Sequence, residues 1–235
     1  MLYQLCYLFL MFFLYSVIGY LIEIINCSIH SKEIVVNRGF CLGPYLPIYG
    51  VSSIIMSLYL IRYQKDPIAL FVMSALVCTI IEYFTSYILE KIFKARWWDY
   101  SEKKFNIEGR VCLLNATLFG VGGLAFVYLI NPFLTSILNL LPDKALIIIS
   151  IILFVVFASD VIVTFITLYQ VKVASLKFKN KDATSEISKV RQENIKNSTL
   201  IRHMLNAFPR IDIQKHKDPL AKVKAYLDHQ KKKTK

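Results

Sequence analysis

Long apolar stretches are the feature that most constrains how this chain of 235 residues folds. A helix that rises about 1.5 Å per residue needs roughly 20 apolar residues to cross about 30 Å of hydrocarbon. Lipid offers no hydrogen bonds to exposed backbone, so each crossing segment must be helical. We therefore predict an all-α, polytopic transmembrane helical bundle of five spans, at about residues 2–25, 44–60, 67–89, 111–130 and 146–171.

The charges are distributed unevenly between two predicted domains. Residues 172–235 hold 17 of the 28 Lys and Arg but only 6 of the 16 Asp and Glu. With a hydrophobic share of 56% and a mean hydropathy of +0.50, this pattern predicts a transmembrane domain at 1–171 and a basic cytoplasmic tail at 172–235. The expected partner of the tail is the anionic headgroups of the lipid bilayer, and no nucleic acid is expected.

Lys and Arg in the connections predict the orientation, because cationic residues near span ends stay on the cytoplasmic side. The first and third connections hold two and six of them, whereas the second and fourth hold two and one. With the 17 in the tail, these counts place the N-terminus outside and the C-terminus inside.

Prolines mark the expected boundaries of the spans: Pro44 and Pro67 begin spans 2 and 3, and Pro132 and Pro142 lie in the loop before span 5.

The basic tail contains one further predicted element. Apolar residues recur at helical intervals among its charges and predict an amphipathic helix that ends at Pro209, through Ile187, Val190, Ile201, Leu205 and Phe208. Two interpretations stay open at this point: the helix lies on the inner leaflet, or it packs as a solvated helix against the inner loops.

Four acids lie within the predicted spans, where a charge costs at least about 2.5 kcal/mol on insertion scales. Glu23 ends span 1, Glu82 and Glu90 lie in span 3, and Asp160 lies in span 5. Glu82, Ser86 and Glu90 are four residues apart, so they share one face of a helix. Counted along their helices, the acids fall toward the inner leaflet and predict one inner polar cavity.

The two inner loops carry the residues expected to complete this cavity. Glycine and proline interrupt residues 37–50, which predicts a re-entrant segment that presents Asn37 and Arg38. The second loop supplies the remaining candidates: Trp97, Trp98, Asp99, Asn106 and Arg110. Arg38 and Arg110 are the expected partners of the acids.

Each of these residues also has a purely structural interpretation. Glu82 fits one half of a Glu–Arg pair that locks helix packing. Glu90 with Lys91 and Lys94 fits an ordinary snorkelling interface, and Trp97 with Trp98 fits an ordinary aromatic belt.

Several classes of site are not predicted. Five scattered cysteines without a CxxC pair indicate reduced thiols, and Cys27 with His30 is too little for a metal site. No metal and no cofactor is expected. The sequence holds no G-x-x-x-x-G-K-[ST], G-x-S-x-G or H-E-x-x-H motif, so neither a nucleotide-driven motor nor a hydrolase is predicted.

Several motifs together resemble the CmpB-like type IV ABC-transporter permease family of Firmicutes-type bacteria. They are Leu21–Ile24, Val36–Pro44, Pro47–Gly50, Glu82–Glu90, Ala95–Tyr100 and Phe105–Leu113, and the likeness extends through Asp160 to Leu205–Pro209. The resemblance implies a bacterial inner-membrane protein and a shared site at Glu23, Asn37, Arg38, Glu82, Glu90, Trp97, Trp98, Asp99, Asn106 and Arg110. It also implies that any ATPase is a separate polypeptide.

The sequence therefore leads to one preferred function and two alternatives. The preferred one is a transport subunit whose acids and arginines line an inward-facing site for a small solute or lipid of unknown identity. One alternative is an intramembrane enzyme for a lipid-linked or prenyl substrate, with Glu82 or Asp99 as general base and Arg38 and Arg110 holding a phosphate. The other is an assembly subunit that binds no substrate; an enzyme is less favoured than a transport subunit.

Overall fold

The computed structural model describes residues 1–31, 39–93 and 96–177, with side chains at 1–29, 39–93 and 96–169. Asn37, Arg38, Lys94 and the predicted tail helix lie outside the described residues. Within them the fold is helical, with one short hairpin. Its helices are α1 (Leu2–Ser31), α2 (Pro47–Ile55), α3 (Pro67–Phe93), α4 (Leu113–Ala125), α5 (Asn131–Asn139) and α6 (Asp143–Lys177).

Four helical segments of the described chain are long and apolar enough to cross a membrane. They are Leu2–Ile29, Pro67–Phe93, Leu113–Asn139 and Asp143–Tyr169. Predicted spans 1, 3 and 5 are therefore confirmed as membrane-length helices, and the predicted start at Pro67 is correct because Asp66 caps this helix. The all-α class is confirmed as well.

Predicted span 2 has a different form from the uniform helix expected at residues 44–60. Residues 39–46 are not helical, and α2 begins at Pro47, after Leu46 in an extended conformation. It continues through a π-helical turn, Met56–Leu60, and a 3₁₀ turn, Ile61–Tyr63. This segment is not among the four membrane-length helices, because two prolines and a loop with its own hydrogen bonds shorten it.

Predicted span 4 differs at both ends from the expected residues 111–130. Val111 and Cys112 form a strand, and the helical segment extends to Asn139. Pro132 was expected in a loop but lies in the first turn of α5, directly after the π-helical turn Phe126–Ile130. Proline lacks an amide hydrogen, so it cannot donate the usual helical hydrogen bond. The π-helical turn before it has i→i+5 instead of i→i+4 backbone hydrogen bonds, and the helical segment continues past the proline.

Contacts between the helices fix their relative directions. Ser150 Oγ donates to Cys6 O at 3.1 Å, and the rings of Phe9 and Phe154 are 5.3 Å apart, so α1 and α6 are parallel. Helix α2 runs back along α1, since Leu46 N donates to Ser16 O. Helix α3 packs most extensively against α4, with Gly123 against Ser74, where any side chain in place of the glycine would collide.

The apolar core lies where these helices meet, toward the N-terminal half of α1. Its fully buried members include Leu70 and Leu146, at the starts of α3 and α6. Polar contacts also lie in this core: Tyr15 Oη donates to Asn131 Oδ1 at 2.6 Å, besides the bond from Ser150 to Cys6. The acids lie farther along α1, α3 and α6, so the polar sites are at the other end of the bundle.

Candidate functional site

The first polar region is loop 39–46, which Asp160 of α6 holds in place. Asp160 Oδ1 accepts the amide of Leu42 at 3.0 Å, and Oδ2 accepts the amide of Gly43 at 2.8 Å and the hydroxyl of Tyr45. Thr164 Oγ1 donates to Oδ1 at 3.1 Å. Each carboxylate oxygen thus accepts two hydrogen bonds, which compensates a charge at this depth.

Loop 39–46 reaches the middle of the bundle. Leu46 binds Ser16, which lies about 21 Å along α1 at 1.5 Å per residue, half the length of that membrane-length helix. Cys41 and Tyr45 of the loop are almost fully buried. Non-helical backbone at such depth requires internal partners, and Asp160 supplies them.

The second polar region is the hairpin loop, residues 96–112. Strands β1 (Asn106–Ile107) and β2 (Val111–Cys112) are antiparallel, with Ile107 opposite Val111 and three residues between them. Of these three, Glu108 and Gly109 have positive φ and Arg110 N donates to Ile107 O at 2.9 Å, as in a type I′ β-turn. Asn106 accepts the amide of Gly109 at 3.0 Å and donates to two loop carbonyls. Asp99 accepts the amide of Ser101 at 2.9 Å. Predicted site residues Asn106 and Asp99 thus shape the hairpin loop.

Arg110 attaches the hairpin loop to the C-terminal end of α3. Its Nη1 lies 2.7 Å from Glu90 Oε2 and donates to Ser86 Oγ at 3.4 Å, and its Nε lies 3.2 Å from Glu108 Oε2. Arg96 adds a 2.9 Å ion pair with Glu90. The expected pairing of Arg110 with an intramembrane acid is found at Glu90, and its hydrogen bond to Ser86 lies on the predicted stripe.

Charge at the hairpin loop affects the ionisation of Glu108. The hydroxyl of Tyr83 donates to this carboxylate at 2.9 Å, and Arg110 pairs with it. Both interactions hold the pKa of Glu108 below its usual range.

The two tryptophans have different positions at this end of the bundle. Trp98 Nε1 donates to the carbonyl of Arg110 at 2.9 Å and so fixes the hairpin loop. Trp97 is buried and packs its ring against Phe40 and Phe93. Trp98 therefore supports the loop that carries Arg110, and Trp97 packs inside the protein.

An open-sided groove lies beside this network. It measures about 230 Å³ and is lined by Tyr87, Glu90, Lys91 and Arg110. The Lys91 ammonium lies 5.8 Å from the centre of the Tyr87 ring. Tyr87 was not predicted as a site residue; its position one residue after Ser86 on α3 was the available signal.

The third polar region is the glutamate cluster, which we define as Glu23, Tyr49, Glu82, Tyr100 and Asn115. Tyr100 Oη donates to Glu82 Oε1 at 3.2 Å, and Tyr49 Oη donates to Glu23 Oε2 at 3.4 Å. Asn115 approaches both Glu82 and Tyr100. The cluster draws on α1, α2, α3, α4 and the hairpin loop.

Glu82 is the most deeply placed acid of the glutamate cluster. Its side chain is 7% exposed, and Oε2 accepts no hydrogen bond from the described residues. Glu23 and Glu82 lie close enough to repel each other. Burial and the nearby Glu82 raise the pKa of Tyr100, so this phenol stays protonated and remains a donor.

The predicted single inner cavity is thus divided. Glu23 and Glu82 do come together, Glu90 and Arg110 form a neighbouring network, and Asp160 belongs to loop 39–46. Tyr49, Tyr100 and Asn115 were not predicted as site residues. The available signal in the sequence was a polar side chain within or beside an apolar stretch.

The Cys27 thiol donates to Glu23 Oε1 at 3.1 Å. The described residues contain no group of three or more His, Cys, Asp or Glu suited to a metal ion.

Comparison with known proteins gives a family match. A family model described as "Putative ABC-transporter type IV" matches residues 10–165, more than half of the chain. The matched stretch contains Glu23, Glu82, the hairpin loop and Asp160. No curated protein and no solved structure matches the chain.

Proposed function

The chain belongs to this type IV ABC-transporter family, and from that membership and the geometry of the glutamate cluster we propose that it is the membrane-spanning subunit of a transport system. Glu82 and its partners form the inward-facing polar site of this subunit. The observation that carries the proposal is a carboxylate, buried among membrane-length helices, whose Oε2 is unpartnered among the described residues.

The position of the glutamate cluster supports a transport role. Five separate parts of the chain contribute to it, so a relative movement of any of them would change its surroundings. The adjacent loop 39–46 interrupts the helical structure at membrane depth, as segments that line a pathway do in transporters. A small solute or lipid would be recognised here.

The proposal includes five crossings, with the N-terminus outside and the C-terminus inside. Helices α1 and α6 are parallel and α2 runs back along α1, which supports a return crossing that includes residues 39–63. Loop 39–46 makes the inner part of that crossing and α2 the outer part. The Lys and Arg of the hairpin loop and tail then face the cytoplasm.

The surroundings of this subunit follow from its orientation and its family. We place it in the inner membrane of a bacterial cell, with the basic tail against anionic headgroups. The sequence holds no phosphate-binding loop, so the ATPase of the system is a separate chain.

The proposal is tested by co-purification and by flux. The tagged protein is purified from its native membrane, and an ATPase subunit is expected with it. Solute flux into membrane vesicles is then compared between Glu82→Gln and Glu102→Gln, which alters an exposed glutamate of the hairpin loop. Flux falls only in the first variant. Absence of any ATPase together with flux that ignores Glu82 contradicts the proposal.

The enzyme alternative receives less support from the arrangement of charges. A phosphate clamp needs cationic groups with free donors, whereas Arg110 is paired with Glu90 and Glu108 and also bound to Ser86. Asp99 is occupied within the hairpin loop. For an assembly subunit without substrate, Glu82→Gln would leave every cellular activity intact.

A further inference from the structure

We infer that Glu82 holds one exchangeable proton inside the bundle and exchanges it with the inner aqueous phase along the helix face of Ser86 and Glu90. This inference rests on the proposed function in one respect, since it takes the glutamate cluster as the polar site of a transport subunit. It adds that one ligand of that site is a proton.

The first step is the count of compensating groups around Glu82. Tyr100 donates to Oε1, Asn115 lies beside the carboxyl, and no described residue donates to Oε2. No ion pair involves Glu82 or Glu23 among the described residues, and Arg110, which binds Ser86 on the same helix face, is paired with Glu90 and Glu108. An ionised Glu82 would therefore be buried with one oxygen uncompensated.

The second step is the neighbouring charge. Glu23 of α1 lies close enough to repel Glu82, and Tyr49 interacts with both acids. A nearby negative charge disfavours the ionised form of a buried carboxyl. A proton on Glu82 removes this repulsion and turns the unpartnered Oε2 into a hydroxyl.

The third step concerns the other titratable groups that face Glu82 among the described residues. They are Glu23 and Cys27 on α1, Tyr49 on α2, Cys78 on α3 and Tyr100 in the hairpin loop. Asn115 on α4 does not titrate. Free thiols and phenols are neutral at physiological pH, so these described groups do not replace a carboxyl as the holder of the proton.

The fourth step is the route to water. Ser86 lies one turn from Glu82 and Glu90 one turn further, about 12 Å along α3 in all. Ser86 Oγ accepts from Arg110, and Glu90 lines the open groove with Tyr87 and Lys91. The Ser86 hydroxyl thus lies on the same helix face as the buried carboxyl and the accessible one, between the two.

The test is infrared difference spectroscopy of the purified full-length chain in lipid nanodiscs over a range of pH. Wild-type protein is expected to show one protonated carboxyl band that disappears at high pH and shifts in D₂O. The band is lost in Glu82→Gln and kept in Glu102→Gln. In Glu23→Gln the band disappears at a lower pH, because the repelling charge is gone.

Two further variants keep the test decisive. Tyr100→Phe retains the carboxyl but removes its donor, so the band must move; if Glu82→Gln fails to fold, an unmoved band in Tyr100→Phe overturns the inference. Ser86→Ala slows the D₂O shift. Absence of a protonated carboxyl band at every pH also overturns the inference. In that case, binding of ²²Na⁺ that depends on Glu82 would assign the site to an alkali ion.

The results separate this inference from the proposed function. A titrating Glu82 in a protein without flux or ATPase supports the proton site and contradicts transport. Glu82-dependent flux without a protonated carboxyl supports transport and contradicts the proton site.

Discussion

Asp160 and Glu82 are both carboxylates inside membrane-length helices, yet the protein surrounds them differently. Asp160 accepts four hydrogen bonds, two of them from the backbone of loop 39–46. Glu82 Oε1 accepts one from Tyr100 and Asn115 lies beside the carboxyl, but Oε2 accepts none from the described residues. Depth in the bilayer alone therefore does not identify a functional acid; the difference in hydrogen bonding supports a structural role for Asp160 and the functional role that we propose for Glu82.

The largest expected effect is at Asp160. In Asp160→Ala the amides of Leu42 and Gly43 lose their acceptor inside the bundle, and each orphaned group costs about 1–3 kcal/mol. We expect the free energy of unfolding to fall by about 3–5 kcal/mol. Denaturant unfolding in detergent measures it. Thr164→Val, which removes one of the four bonds, should cost about 1 kcal/mol, and equal losses in both variants would contradict the role given to Asp160.

A smaller effect is expected at Arg110. Arg110→Ala leaves Glu90 and Glu108 without this partner, but both are partly exposed, so water offsets part of the loss. We expect a decrease of about 1–2 kcal/mol in the free energy of unfolding. The matched variant Lys103→Ala alters an exposed cation of the same loop and should change stability by less than about 0.5 kcal/mol.

Gly109→Ala should lower the free energy of unfolding by as much as Arg110→Ala or by less. Its φ is +68°, and a Cβ there would lie 2.4 Å from Ser101 Oγ and 2.5 Å from Asp99 Oδ1. Gly109→Ala is expected to cost about 1–2 kcal/mol and to loosen only the hairpin loop. Hydrogen exchange should therefore rise in residues 96–112 but not in loop 39–46. Faster exchange in both regions would contradict our conclusion that the hairpin loop and loop 39–46 are stabilised independently.

The smallest structural effect concerns pH at the hairpin loop. The pKa of Glu108 is lowered in the folded protein, so its contribution to stability is present above its unfolded pKa of about 4.3 and is lost as pH falls through the folded value. Exchange of the Ile107 and Val111 amides should rise, relative to intrinsic rates, on acidification through this range. Glu108→Gln should remove that dependence, whereas loop 39–46 should not respond to the variant.

The sequence predicted the long helices because apolar length is a local property. Spans 1, 3 and 5 were located within a few residues, and the stripe of Glu82, Ser86 and Glu90 followed from helical periodicity. The prediction was wrong where the backbone hydrogen bonds depart from the regular α-helical pattern. Pro132 was expected in a loop, but the π-helical turn before it lets the helical segment continue to Asn139.

The sites were less predictable, because their partners are far apart in the chain. Asp160 binds residues 115–118 positions away, a pairing that no local motif indicates. The same holds for Tyr49 and Tyr100, which contact acids on other elements. Residue type alone identified the acids as candidates, and only their three-dimensional partners separated Asp160 from Glu82.

The most direct test of the central claim compares thermal unfolding of Glu82→Gln and Asp160→Asn in the same detergent. A glutamine at position 82 removes a buried carboxyl that would be uncompensated if it ionised, so we predict a midpoint equal to or above that of the wild type. An asparagine at position 160 places an amide group against donors, so its midpoint should fall clearly. A decrease in Glu82→Gln as large as that in Asp160→Asn would contradict the claim, because Glu82 would then be a structural residue as well.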